Sequence, residues 1–298
     1  MLNISHILSK NRLLRSLTGL NRRAFDQLLP KFTVAYTASC IADKPRQRAA
    51  GGGRKSQLLS MADKLFFILL YIKVYPTFDL LGVLFDFHRS RAHRWVHRLQ
   101  PVLEVTLDKE LVLPERQLKS MAEFIERFPS VERAIIDGVE RPIQRPKDRT
   151  RQKRTYSGKR KRNTRKHIGM SDQTKRLLVL TPAQDGKFQD KCLLDASVLV
   201  EHIPQDIPVQ VDLGFKGLEA EYENIEIPHK KPPNGTLSEQ QKQDNQTLSR
   251  QRIVIEHTFS GLKRYGAIAD IYRNRTVDFD DHLMVTAAGL WNFYLKAA

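Results

Sequence analysis

Three acidic residues stand at positions where side chains could do chemistry. Asp137 closes the apolar run Ala134-Ile135-Ile136 in "RAIID" (133–137). Asp212 closes "VQVD" (209–212), just before Gly214 at a sharp turn. Glu256 lies in "RIVIEHTFSGLKRYG", where Ile255, Phe259 and Leu262, with Leu248 just before the stretch, repeat at helical spacing and Glu256, Ser260 and Lys263 occupy the strip beside them. Each has a bland account: strand-end aspartates cap turns, and helical glutamates face water. Together, hard oxygen donors from two strand ends and a helix suit Mg2+, with Mn2+ as the alternative. Two such ions would activate a water and stabilise the leaving oxygen of a phosphodiester. The expected metal-holding and catalytic set is Asp137, Asp212 and Glu256.

The most basic stretch of the chain begins ten residues after Asp137. "KDRTRQKRTYSGKRKRNTRK" (147–166) holds eleven Lys and Arg and one Asp. A disordered tail or localisation signal has such a composition. This run instead lies between two expected strands and carries Tyr156-Ser157-Gly158 in its middle, so a DNA-contacting hairpin or loop is the expectation. Lys153, Arg154, Lys159, Arg160, Lys161, Arg162, Arg165 and Lys166 are its candidate contacts, and Lys263 is a further one. The carboxylates would hold metal and the basic run the polyanion.

The elements that position these residues can be read from pattern. Short β-like runs appear at 133–137, 165–172, 175–182, 209–212 and 225–228, with helices expected over 189–202 and near 214–222. A long helix starts near Ser238, whose capping-box partner is Gln241, and runs to about Lys263. Strands followed by alternating strand and helix indicate a mixed α/β domain over 131–298.

Residues 1–110 read as a helical region. Residues 45–55, "PRQRAAGGGRK", suggest a flexible basic connector. Within "TFDLLGVLFDFHRSRAHRWVHRLQPVL" (77–103), a short helix is expected over 79–86 with Leu80, Leu81 and Leu84 buried. "DFHRS" then turns the chain and Ser90 caps a second helix. Ala92, Trp95, Val96 and Leu99 form its core side, and Arg91, His93, Arg94, His97 and Arg98 its basic side. This is the pattern of a helix-turn-helix over about 77–107, whose second helix enters a major groove; an ordinary helical hairpin with a solvated basic face is the competing account. Arg91, His93, Arg94 and Arg98 are the candidate DNA contacts.

Composition agrees with a polyanionic partner. Across 298 residues the formal net charge is +17, with 41 % hydrophobic residues. A field of that sign favours nucleic acid first and an anionic membrane second. The longest apolar run, "LFFILLYI" (65–72), falls well short of the roughly 20 residues a spanning helix needs, so no membrane role is expected. Cys40 and Cys192 match no metal or redox spacing, consistent with a reducing, cytoplasmic setting.

Several stretches carry a family resemblance: "GGGRK", "DGVERPIQRP", "YSGKRKRNTRKH", "DLGFKGL", "HKKP" and "LSRQRIVIEHTFSGLKRY…YRNR". In this order the chain resembles transposases of the bacterial IS5 group, relatives of the PIF/Harbinger enzymes. The resemblance covers about 45–295. It implies an RNase H-like catalytic domain whose Asp-Asp-Glu triad falls on Asp137, Asp212 and Glu256, preceded by a helix-turn-helix. It further implies binding to terminal inverted repeats and target DNA, metal-dependent strand cleavage and strand transfer, and a homodimer in the synaptic complex, in a nucleoid-associated bacterial protein. Two stretches depart from the pattern: "QVDLGFKG" where relatives more often show "ADKGYQG", and "QDK" (189–191) where a His-Asp pair is frequent. Two competitors remain: a catalytically silent, repressor-like DNA-binding derivative and a structure-selective nuclease of the same fold.

Overall fold

The computed structural model describes residues 2–42 and 57–297. The glycine-rich connector expected at 45–55 lies outside the described residues. Contacts divide the chain into a helical unit (Met1–Leu113, Lys263–Asp270, His282–Ala298) and a sheet unit (Pro114–Leu262, Ile271–Asp281).

The helical unit contains α1 (Ile4–Ser9), α2 (Asn11–Thr18), α3 (Arg22–Ala42), α4 (Met61–Val74), α5 (Phe78–Phe85) and α6 (Arg89–Lys109). Ser60 and Asp63 form a capping box that starts α4, and Leu65 to Ile72 on that helix are buried all round. The expected 79–86 helix is α5, but Leu81, Gly82 and Phe85 form its buried face, whereas Leu80 is exposed. The chain leaves α5 through Asp86 in the left-handed region. A Cβ on Gly82 would come within 2.5 Å of the Phe87 carbonyl oxygen, so this tight turn needs glycine there. His88, not Ser90, caps α6: its ring nitrogen accepts from the Ser90 N–H. Ala92, Val96 and Leu99 are buried as their spacing indicates.

The sheet unit opens with α7 (Met121–Arg127) and continues β1 (Ala134–Pro142), α8 (Arg149–Thr155), β2 (Tyr156–Ser157), β3 (Arg162–Ser171), β4 (Leu177–Leu180), β5 (Gln184–Asp185), α9 (Asp190–Ser197), β6 (Val209–Gln210), β7 (Ile225–Glu226) and α10 (Glu239–Leu262). Strand order is β2-β3-β1-β6-β7, with β4 and β5 also on β3. β1 and β3 pair antiparallel; β1, β6 and β7 are parallel. This is a mixed, RNase H-like sheet flanked by helices. Its main core lies on one face, where Ile136, Ile168, Met170, Leu194, Val209, Val211 and Phe215 meet. The helix expected over 189–202 is α9 followed by a 3-10 turn, and that expected near 214–222 is two 3-10 turns.

Two short segments complete the chain, α11 (Gly266–Ala269) and α12 (Phe279–Ala297). The expectation gave everything from 131 to 298 to one α/β domain; Lys263–Asp270 and His282–Ala298 instead group with the helical unit. Buried polar ties fasten the second of these segments. The Gln100 amide donates to the Thr286 hydroxyl (2.9 Å) and the Asn292 amide to the Val112 carbonyl (2.8 Å). Neither Cys40 nor Cys192 is in a disulfide, and among the described residues no helix is long and apolar enough to cross a membrane.

Candidate active site and nucleic-acid interface

Asp137 does not end its strand. β1 continues to Pro142, and Asp137 sits mid-strand opposite Gly169 of β3. The apolar run stops there because the next residues pair with the polar half of β3, Val139 to His167 and Glu140 to Lys166. On the other side β1 pairs with β6, Ile135 facing Gln210. Asp137 and Asp212 each lie two residues beyond that pair. Alternation therefore puts both carboxylates on one face of the sheet, on strands spaced about 4.8 Å apart. Asp212 remains extended (φ −89°, ψ 174°) and its carboxylate accepts from the Gly214 N–H at 2.7 Å, capping a 3-10 turn.

Burial pushes the Asp137 carboxyl up to about 6, and the neighbouring charge of Asp212 adds to the rise. A hydrogen bond from the Gly138 N–H (2.7 Å) and the charge of Arg252 act against it. Asp190 contributes a smaller rise from the opposite face, where its carboxylate lies against the Cα of Gly138.

α10 crosses the Asp137 face, and Ser238 and Gln241 form the capping box its sequence indicates. Gly169 has no Cβ, and the Phe259 ring fills that space. Ile255 and Leu262 are fully buried beside it. The residue that α10 brings to Asp137 is Arg252, with Nη2 3.8 Å from the carboxylate. Its Nε is buried without a hydrogen-bond partner. Glu256 follows one turn later on the same helix and is exposed. Among the described residues, no three His, Cys, Asp or Glu side chains gather as a metal-holding group. The fold thus brings Asp137 and Asp212 together and leaves Glu256 apart from them. Sequence reading passed over Arg252, although its i, i+4 relation to Glu256 puts the two on one helix face.

The basic run is a helix followed by a hairpin. α8 is capped by Asp148, and β2 folds back on β3 with Tyr156 opposite Asn163 and Ser157 opposite Arg162. Lys159, Arg160, Lys161 and Arg162 are exposed at its tip, and Lys153 is exposed on α8. Arg154, also exposed, is ion-paired with Asp185 at 2.9 Å. Two expected DNA contacts are turned into the protein. Lys166 is 4 % exposed and reaches Asp190 (3.0 Å), Glu140 (3.4 Å) and the Phe188 carbonyl (2.8 Å). Arg165 bridges Asp185 (2.8 Å) and Asp280 (3.1 Å). Both lie in the body of β3, where ladder pairing fixes their direction.

On α6, His93, Arg94 and Arg98 are exposed and Arg91 is half-buried. Arg91 donates to the Gln57 side chain, and Arg94 to the Ser90 carbonyl at 3.3 Å. Arg98 lies over the rings of Tyr36 and Trp95 and donates to Cys40 Sγ, so packing holds it. Burial and neighbouring His93 push His97 down to about 4, so it adds no charge to this face at neutral pH. Lys263 is exposed and groups with the helical unit.

Residues 136–292 match a family model described as DDE superfamily endonuclease. That span is more than half of the chain and holds Asp137, Asp212 and Glu256. The chain belongs to the DDE superfamily endonucleases. Residues 56–109, which include α4, α5 and α6, match the helix-turn-helix of the same superfamily. A relative from Microchaete diplosiphon, described as a probable transposase for insertion sequence element IS702, is 26 % identical over 287 residues and covers 95 % of each chain. No solved structure gives a significant match.

Endonucleases of this superfamily generally use divalent metal ions. The chemistry of the aspartate pair fits one. Two hard carboxylates sit side by side, the charge of Asp212 raising the cost of ionising Asp137, and a hard cation would relieve that cost.

Proposed function

We propose that this DDE endonuclease is an active transposase of the IS5 group, related to PIF/Harbinger enzymes, acting on its element's terminal inverted repeats and on target DNA in the cytoplasm. The observation that carries the reading is the side-by-side placement of Asp137 and Asp212 at neighbouring parallel strands, in a chain that also has a helix-turn-helix. The relative's description as a probable transposase points the same way.

Asp137, Asp212 and Glu256 would hold Mg2+, or Mn2+ in its place, as two ions in a shared site. When bound, the metal supplies Lewis-acid activation of water and charge relief at the scissile phosphate. The chain's own residues do the rest. The first turns of α6, with exposed Arg94 and half-buried Arg91, read base edges, since base contacts specify while phosphate contacts position. Lys153 and the hairpin tip Lys159–Arg162 hold phosphates. Arg252 sets the charge felt by Asp137, and movement of α10 side chains would bring Glu256 toward the aspartates. Two protomers would pair the two element ends in the synaptic complex.

A second reading, a DNA-binding derivative without cleavage, draws on the Arg252–Asp137 contact and on Glu256 standing apart. The deciding experiment incubates the protein with Mg2+ and a labelled duplex carrying one inverted repeat. Nicking at the element end, followed by joining to a second duplex, supports the transposase. End-specific binding with no nicking in Mg2+ or Mn2+ supports the silent derivative.

A further inference from the structure

We propose that the helical unit carries a second phosphate-binding site, a cleft lined by Arg12, Arg15, Lys73 and Arg264 that grips the sugar-phosphate backbone of DNA. It rests on the reading of the chain as a DNA-binding protein and adds contacts that lie outside α6 and the basic hairpin.

The cleft measures about 650 Å3, with Asn11 and Ser16 as its other lining residues. Its cations come from three places far apart in sequence. Arg12 and Arg15 lie on α2, whose inner side is fixed by buried Leu14 and Thr18. Lys73 is in the last turn of α4, and Arg264 precedes α11. No local charge run marks them.

What holds Arg15, Lys73 and Arg264 is neutral. The Arg264 guanidinium lies 4.3 Å from the centre of the Tyr294 ring and the Arg15 guanidinium 5.9 Å from it. Arg15 also donates to the Tyr294 hydroxyl at 3.2 Å. Lys73 Nζ donates to the Arg264 carbonyl at 2.5 Å and lies 5.9 Å from the Tyr265 ring. Rings, a hydroxyl and a carbonyl orient a cation without cancelling its charge. Among the described residues none of the four has a carboxylate within ion-pair distance. Burial, and after it the charge of Arg264, pull the Lys73 ammonium below its usual range, so these two cations repel each other. A bound anion removes that repulsion.

The ligand that fits is a phosphodiester backbone. Arg12 and Arg15 are exposed, so the cleft is open to a long polymer. Lys73 belongs to the segment matched by the helix-turn-helix model, so one helix serves both the DNA-binding motif and the cleft. Contacts of this kind supply affinity and register without reading sequence.

The test uses the full-length protein without divalent metal, so binding is read apart from cleavage. Affinity for an inverted-repeat duplex and for a random duplex is measured against salt, in wild type, Arg12→Gln/Arg15→Gln and Arg12→Lys/Arg15→Lys. The glutamine variant should bind both duplexes equally more weakly. Its log K against log salt slope should shrink by about 0.9 per lost contact, nearly two units in all. The lysine variant should keep the wild-type slope. An unchanged slope in the glutamine variant overturns the proposal. So does a loss confined to the inverted repeat, and so does an equal loss in the lysine variant, which would mark a packing defect. Stabilisation of wild type by inorganic phosphate that the glutamine variant lacks, with unchanged DNA slopes, would assign the cleft to free anions and overturn it too. If wild type binds both duplexes equally, the end-reading function fails while the slope comparison still decides the cleft.

Discussion

Two clusters of positive charge, one in each unit, are held in opposite ways. In the helical unit, Arg15, Arg94 and Arg264 have no carboxylate within ion-pair distance among the described residues; their recorded partners are hydroxyls, carbonyls and rings. In the sheet unit, Arg116, Arg154, Arg165 and Lys166 are each paired with an aspartate or glutamate. A basic residue held by neutral groups still offers its charge to a ligand. One held by a carboxylate has already spent it on the fold. Within the single run 147–166 both uses occur: Arg160, Lys161 and Arg162 are exposed at the tip, whereas Arg154 on α8 and Arg165 and Lys166 on β3 are ion-paired.

The largest effect that could break this contrast is at Lys166. Lys166→Ala should destabilise the sheet unit by about 3–5 kcal/mol, because Glu140 and Asp190 are left buried without their partner. Thermal unfolding checks this, and the salt dependence of DNA binding at low temperature should be unchanged. A stable Lys166→Ala protein with weakened DNA binding would return Lys166 to the interface.

His167 tests the same internal network through pH. It is buried, its ring bonded to the Thr181 carbonyl (2.8 Å) and 3.6 Å from Asp281, and burial pushes it down to about 4 despite Asp281 and Asp280. A histidine lowered from about 6.5 stays neutral when folded and charges on unfolding. Its contribution is fully present above pH 6.5, is lost as pH falls toward 4, and amounts to at most about 3 kcal/mol. The gap in melting temperature between wild type and His167→Asn should therefore narrow over that window. A gap independent of pH would mean that the histidine is not held neutral.

On α6, Arg91→Ala with Arg94→Ala should weaken binding to the inverted repeat by about 1–3 kcal/mol per lost base contact, and binding to random DNA by less. Equal losses would make α6 a phosphate-holding helix only. The smallest effect is at the hairpin. Replacing Lys159, Arg160 and Lys161 with glutamine should lower affinity for all DNA alike and flatten the salt slope by about 0.9 per contact. An unchanged slope would leave the tip without a DNA role.

Much of this was legible in the sequence where local chemistry decides. The Ser238–Gln241 box starts α10, and the apolar stripe Ile255, Phe259 and Leu262 sets its buried face. The Ala92, Val96, Leu99 spacing sets the inner side of α6. What depends on strand pairing was not legible. Asp137 looked like a strand end because the apolar run stops, yet β1 continues by pairing its polar half with β3. Lys166 looked like a DNA contact because charge runs read as surface, yet ladder register turns it inward. The cleft of Arg12, Arg15, Lys73 and Arg264 leaves no local mark, since only tertiary packing assembles it. The C-terminal helix reads as the end of an α/β domain, but its ties to Gln100 and Val112 group it with the helical unit.

The central claim is that Asp137 and Asp212 form the cutting centre, and it meets its most direct test in one assay. End-duplex nicking with Mg2+ is compared for wild type, Asp137→Asn, Asp212→Asn and Glu256→Gln, with duplex affinity measured in parallel. Each substitution should cost about a thousandfold or more in cleavage, roughly 4 kcal/mol of barrier, while binding persists. Wild-type nicking by Asp137→Asn or Asp212→Asn would contradict the account.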